Sequence, residues 1–456
     1  FTITGDKVSA SDFAETSGAV TVKTDEPFTI SGTSTKGLVI PAGVKAHMTL
    51  AGVSVTAAPA LDIRSGATAY ITLTDGSANS FKSTDASWPG IHCGTGATMI
   101  VDDSVPNVDI ADKPITPANG QIPVGTVYKD KEGVQRTSMG DYLTLLDSAN
   151  PGTLTAVSGT NAAGIGGAWG EDGGNMTFNG GVVDAKNPDA SGGGGAGIGG
   201  GRGAAGTSPS EWITINGGRI KAQGGYHGAG IGGGYNQSVS LPSGLTQSKH
   251  PGGTGNVRVN GGYTESNGGD HGNGFGRACY GSMQSCDNRD YTILVTGGTM
   301  IPTGGRGLAA FMDIGGAGTR GGTESSVAAW AANVVISGGS VFVGTNDDGK
   351  FRFDGTAYGS YTENPDGTIT PNKTDQVELI TINLTKDLAD LTPEGQTPDL
   401  NRAITSWSLL VKSKETPYGA PAQFDDGKLY LWLTPDQAKE EVTVQLSYLG
   451  DNGNSV

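Results

Sequence analysis

Short runs of alternating apolar and polar residues, each closed by glycine, recur along most of this chain. A period of two is the signature of a half-buried strand, and glycine closing each run marks a tight corner. In ITINGG the alternation sends Ile213 and Ile215 inward and Thr214 outward; in VRVNGG, Val257 and Val259 face in and Arg258 faces out. The same reading extends upstream through TVKTD, FTISG, LVIPAG, MTLAG, VSVTA, LDIRSG and AYITLTDG, so the stacked strands are expected to begin near the first residues.

The runs repeat. Ala-Gly-Ile-Gly-Gly begins at Ala163, Ala196 and Ala229, each copy 33 residues after the last. Weaker copies are read at Asn273 (Asn-Gly-Phe-Gly-Arg, offset 44) and Arg306 (Arg-Gly-Leu-Ala-Ala, offset 33), the extra eleven residues falling within NQSVSLPSGLTQSKHPGG. Between them sits a strand ending in x-Gly-Gly, at Asn179, Asn216, Asn260, Thr296 and Ser337. A unit this short cannot bury an apolar face alone, but a stack of such units can. The expected fold is therefore all-β, a parallel β-helix. Two stretches break the pattern. Residues 107–148, rich in Pro, Tyr and charge, read as a loop excursion from one coil. From about 375 glycine thins out, and a small C-terminal β module over 376–456 is expected to cap a solenoid spanning 1–375.

Composition sharpens this picture. Glycine fills 78 of 456 positions and charged residues only 16%, which excludes a helix-rich enzyme, while the absence of a strict G-X-Y period excludes collagen. With 29 Lys+Arg against 45 Asp+Glu the formal charge is −16, which disfavours nucleic acid and anionic lipid and suits neutral or cationic partners. No stretch approaches the ~18 apolar residues of a membrane span. The start, FTITGDKVSA, has neither a basic leader nor an apolar core, so a mature or trimmed piece is expected. Of three cysteines, Cys279 and Cys286 are spaced to close a small loop in an oxidising compartment, and Cys93 reads as a core thiol.

In a parallel stack, equivalent positions lie about 4.8 Å apart, so register becomes proximity. Aligned on x-Gly-Gly, successive turns carry Tyr226-His227, Asp270-His271, Gly305-Arg306 and Asn346-Asp347-Asp348, a polar column along one edge. Within it, Asp347 and Asp354 are the sharpest pair. Phe351 and Phe353 alternate with Arg352 and Asp354, so inward rings turn Asp354 outward, and Gly349-Lys350 can fold Asp347 back to face it. Glycoside hydrolysis needs two such carboxyls, about 5 Å apart for retention or about 6.5–9.5 Å for inversion. Asp102 and Asp109 share that spacing, however, and Asp-Asp-Gly is a common turn. Trp330 shares the rung and could stack on a pyranose; Trp169 and Trp88 are further aromatic candidates. Zinc spacing, a nucleophile elbow and a Walker loop are all missing from the sequence. A lyase would need an acidic Ca²⁺ cluster with an outward base, which Asp270, Arg277 and Arg306 could imitate.

The combination of AGIGG, ITINGG and YGAPAQFDDGKLYLWL resembles the Gly-rich right-handed β-helix proteins displayed by gut Gram-positive bacteria, over most of the chain. Among characterised families it looks most like glycoside hydrolase family 136, the lacto-N-biosidases that release lacto-N-biose from milk-type oligosaccharides with retention. That resemblance implies a right-handed parallel β-helix, secreted or attached to the cell wall. It implies Asp347 and Asp354 as acid/base and nucleophile, adopted in that order, with Trp330 beside them and His227, Asp270, His271 and Arg306 lining the sugar pocket. It implies no cofactor, a structural Ca²⁺ being the one ion left room for. The family's N-terminal helical folding region has no counterpart here, which leaves that role to a processed segment or a separate helical partner. A non-catalytic carbohydrate-binding or adhesive surface module is the alternative from a different class.

Overall fold

The computed structural model describes residues 1–103, 151–190, 192–236, 248, 252–278, 291–305, 313–315, 332–341, 343–344, 353–354, 356–383 and 432–435, together with the strands at 109–110, 113–114, 127–129, 135–137, 408–412, 428–431 and 443–447. Among these residues the chain is all-β, with no α-helix. It is built from long parallel ladders in a solenoid-like arrangement.

One coil shows how the sequence generates the ladders. Ile165–Gly166 contributes to a third sheet, Asn175–Phe178 to a first and Val182–Lys186 to a second, and the chain returns to the third at Ile198–Gly199. The partners one coil on are parallel and in register: Ile165 with Ile198, Met176 with Ile213, Val183 with Ile220. Met176, Phe178, Ile213, Ile215, Val257 and Val259 are fully buried in one continuous core, while Thr214 and Arg258 on the opposite face are not, as the alternation requires.

The asparagines of the x-Gly-Gly motif have a use the repeat alone did not reveal. Asn216 Nδ2 donates to Asn179 Oδ1 (2.8 Å), Asn260 Nδ2 to Asn216 Oδ1 (2.9 Å) and Thr296 Oγ1 to Asn260 Oδ1 (2.7 Å). This ladder runs up the corner between the first two sheets and satisfies each amide through the next coil.

Three features differ from expectation. The first strands, Thr2–Thr4 and Phe13–Glu15, pair antiparallel with their neighbours, and parallel stacking starts at Ala19–Val22. The copy after Phe275 is not Arg306–Ala310, which lies outside the described residues; Ile314–Gly315 pairs with Phe275–Gly276 instead. The reason is that Ile314 can fill the core and Gly315 adopts φ 119°, the backbone that this position has in every glycine copy. Finally, Leu294 and Val335 break the alternation, both buried on the outward face. The hairpin formed by Tyr361–Glu363 and Ile369–Pro371 covers them, with Ile369, Tyr358 and Tyr361 in the contact.

The strands at 109–110, 113–114, 127–129 and 135–137 pair with one another in a small four-stranded antiparallel sheet. At the C-terminal end, Gln376–Asn383 lies antiparallel to Ala357–Tyr358 and pairs with Lys428–Leu433. Val377 and Leu433 are buried there, and Trp432 packs its ring edge on Phe353. An antiparallel strand laid against the last coil is what a solenoid needs to close an open ladder edge.

Candidate functional site

The third sheet carries one register column that organises everything around it: Asp62, His92, Gly166, Gly199, Gly232, Gly276, Gly315 and Asp354 in successive coils. The five glycines have φ between 119° and 139°. A Cβ on Gly199 or Gly232 would drive into the carbonyl oxygen of the next glycine up, so this stretch cannot carry side chains.

Below the glycine stretch the column is charged. His92 Nδ1 meets Asp62 Oδ1 at 2.7 Å, and His92 Nε2 meets Glu171 Oε2 at 2.7 Å. Asp62 Oδ2 accepts from Arg64 Nε (3.0 Å), and Glu171 Oε2 accepts a second bond from the Ala168 amide (3.2 Å). The edge of Trp88 closes on the imidazole, ring centroids 5.2 Å apart. Glu171 reaches His92 because Gly166 above it and Gly94 beside it lack side chains; a Cβ on Gly94 would occupy the space of the Glu171 carboxylate. Burial alone would depress the His92 pKa, but the charge of Glu171 and the bonds to both carboxylates carry it up to about 10, so the ring is an imidazolium. Burial works against the Asp62 carboxylate too, yet the bond to His92, and behind it Arg64, holds its pKa below the usual range.

Beside the glycine stretch, the turns that flank the third sheet hold a cluster of rings. Trp169, Arg202 and Tyr235 occupy the seventh position counted from the start of each AGIGG copy, and they stack: the Arg202 guanidinium lies 5.8 Å from the Trp169 ring and 5.3 Å from that of Tyr235. His227 stacks on Tyr235 (4.2 Å, 23°) and on His271 (4.8 Å, 24°), and Tyr226 meets both imidazoles edge-on. Arg202 Nη1 donates to Asn161 Oδ1 (3.0 Å). His227, His271 and Tyr235 are buried, while Trp169, Arg202 and Tyr226 are half-buried and Asp270 is exposed beside them. Ser248 donates its amide to Gly170 O at 2.8 Å, so that residue lies against the Trp169–Glu171 turn.

The expected column thus brings His227 and His271 together, with Asp270 at their side. Arg306, Trp330 and Asp347 lie outside the described residues, as do Cys279 and Cys286. Of Asp354 the backbone is placed, in register with Gly315, and Phe353 before it takes the inward position of Ile314 and packs on the core. Cys93 is fully buried, its thiol pushed well up by burial and by Glu211 and Glu171. Among the described residues no three His, Cys, Asp or Glu side chains converge as a metal site, and no helix is long and apolar enough to cross a membrane.

The Asp62–His92–Glu171 network was not anticipated from sequence. The signal that could have found it is the third-sheet register, which aligns LDI with IHC and sets Asp62 against His92. The Trp169, Arg202, Tyr235 column was available in the same way, from the second residue after each AGIGG copy. No family model, curated protein or solved structure matches this chain.

Proposed function

We propose that the protein is an extracellular carbohydrate-binding β-helix, secreted or wall-attached, which engages β-linked oligosaccharides along the turns flanking its third sheet. The right-handed sense of the coils follows from the strong preference of parallel crossovers for that hand. One observation carries the functional reading: half-buried Trp169 and Arg202 are aligned with Tyr235 on successive coils, and Tyr235 packs on His227, whose stack with His271 is met edge-on by half-buried Tyr226. Sugar sites combine flat rings, which stack on the apolar face of a pyranose, with a few fixed polar groups that bond its hydroxyls. The rigid glycine column behind these turns fixes their spacing before any ligand arrives. Glycan-array binding by the full chain, lost in Trp169→Ala and Arg202→Ala variants that keep the wild-type melting temperature, tests the reading; a folded wild type that binds no glycan overturns it.

A second reading is favoured by a separate observation. Phe353 occupies the core position of its coil, the register that the pairing of Asp347 with Asp354 requires. On this reading the late coils hold a retaining glycosidase site, with Asp347 as acid/base, Asp354 as nucleophile and Trp330 as platform. Incubation with lacto-N-tetraose and aryl β-glycosides decides it: a released product that disappears in Asp354→Asn supports hydrolysis, and no release across the panel removes it.

A further inference from the structure

The charged network below the glycine column ends in one open acceptor. Asp62 spends one oxygen on His92 and the other on Arg64, and both His92 nitrogens are engaged. Glu171 spends Oε2 twice, on His92 and on the Ala168 amide, while Oε1 accepts no bond among the described residues. The Glu171 side chain is 29% exposed against 10% for His92 and 9% for Asp62, so the network faces solvent through that carboxylate.

Its location matters as much as its valence. Trp169, Gly170 and Glu171 form one turn, seated on Ser87 by the Trp169 amide and under the next turn by bonds from Gly170 N to Arg202 O (2.8 Å) and from Gly201 N to Glu171 O (3.1 Å). Glu171 is therefore continuous with the Trp169 and Arg202 rungs of the edge described above. From its coil to that of His271 there are three steps, roughly 14 Å along the axis, the reach of a short oligosaccharide. The carboxylates along this edge, Glu171, Asp172, Asp189 and exposed Asp270, outnumber the Arg202 cation, which disfavours an acidic sugar.

Resting on the carbohydrate-binding reading, we infer that Glu171 Oε1 accepts a hydroxyl at one end of a track for an extended uncharged oligosaccharide, lying along the solenoid axis across the Trp169, Arg202 and Tyr226 rungs. His92 and Asp62 are positioning residues that fix the Glu171 carboxylate.

The test is calorimetric titration of the full chain with length series of cello-, laminari- and chito-oligosaccharides, with lacto-N-tetraose and with oligogalacturonates as the acidic comparison. Wild type gains affinity with length in a neutral series. In Glu171→Ala that gain is cut by about tenfold for the longest members, the worth of a charge-assisted hydrogen bond, while the shortest members bind as before. Arg202→Ala weakens every length. If Arg202→Ala weakens binding and Glu171→Ala leaves all lengths untouched, the track end is wrong and the edge reading survives. Equal loss at every length in Glu171→Ala, with a lowered melting temperature, overturns the inference as a structural effect, as does tighter binding of oligogalacturonates than of any neutral series. A wild type that binds none of the neutral sugars overturns the edge reading and this inference with it.

Discussion

His92 Nδ1 lies 2.7 Å from Oδ1 of Asp62, the residue directly below it in the third-sheet register. The pair is part of an alternating line of charge, Arg64, Asp62, His92 and Glu171, that ties three coils together through side chains. Removing the central cation leaves two carboxylates facing each other in a mostly buried space. His92→Ala is expected to cost about 3–5 kcal/mol, the range for breaking a buried pair on one side. Urea unfolding measures it; a cost under ~1 kcal/mol would show that the network is solvated and loose.

The same ring makes stability depend on alkaline pH. The folded-state pKa of His92, about 10, is above its unfolded value of about 6.5, so folding takes up a proton. The contribution is complete below about pH 6.5, declines as pH rises and is gone once pH passes about 10. Melting temperatures of the wild type should fall across that window relative to His92→Gln, whose curve lacks this component. Parallel curves for the two proteins would contradict the imidazolium assignment.

The glycine column makes a contrasting pair of predictions. Gly232 has φ 139°, and a Cβ there would meet the Gly276 carbonyl; Gly18 has open space around it and no positive φ. Gly232→Ala combines backbone strain with overpacking and is expected to cost about 2–6 kcal/mol. Gly18→Ala restricts the unfolded chain and is expected to be neutral or to stabilise by about 0.4–1 kcal/mol. Thermal denaturation of both variants separates the roles; similar effects at the two sites would mean that the column is not sterically closed.

In the asparagine ladder, Asn216 both donates to Asn179 and accepts from Asn260. Asn216→Asp keeps the acceptor but turns an oxygen toward Asn179 Oδ1, so it should destabilise more than Asn216→Ala, which is expected to cost about 1–3 kcal/mol. Raising salt should not rescue the aspartate variant, since the lost interaction is a donor and not a screened charge. Chemical denaturation at low and high salt tests both statements.

Much of the architecture was legible in the sequence, because a repeat of strands constrains register. Ile213, Ile215, Val257 and Val259 could be assigned inward from alternation alone, and the 33-residue spacing of AGIGG predicted that Ile165, Ile198 and Ile231 would stack. What was lost came from changes in coil length. Between Phe275 and Ile314 the coil is 39 residues long, so counting 33 landed on Leu308 when the Ile-Gly-Gly at 314 was the copy. Leu294 and Val335 are ordinary strand residues locally; their outward burial depends on a hairpin that begins 67 and 26 residues further on, which no local pattern encodes. The Asp62, His92 and Glu171 network was hidden for a related reason: Glu171 is 79 residues from His92, with the long excursion between them.

The stacked histidines give the opposite pH dependence to His92. Burial lowers the His227 pKa to about 4, the positive charges of His271 and Arg202 push it the same way, and Asp189 opposes them. The rings against it, Tyr226, Tyr235 and His271, offer no carboxylate to hold a proton on the imidazole. Because the folded pKa lies below the unfolded value of about 6.5, the unfolded chain binds the extra proton first. Stability from this group is therefore full above about pH 6.5 and is lost progressively as pH falls toward 4. Wild type should lose melting temperature over that interval more steeply than His227→Gln, which keeps a planar polar side chain but cannot be protonated. If the glycan edge is built on this stack, affinity for neutral oligosaccharides should weaken over the same interval in the wild type and stay level in the variant. Identical acid profiles for the two proteins would place the His227 proton elsewhere and remove the stack from any account of acid sensitivity.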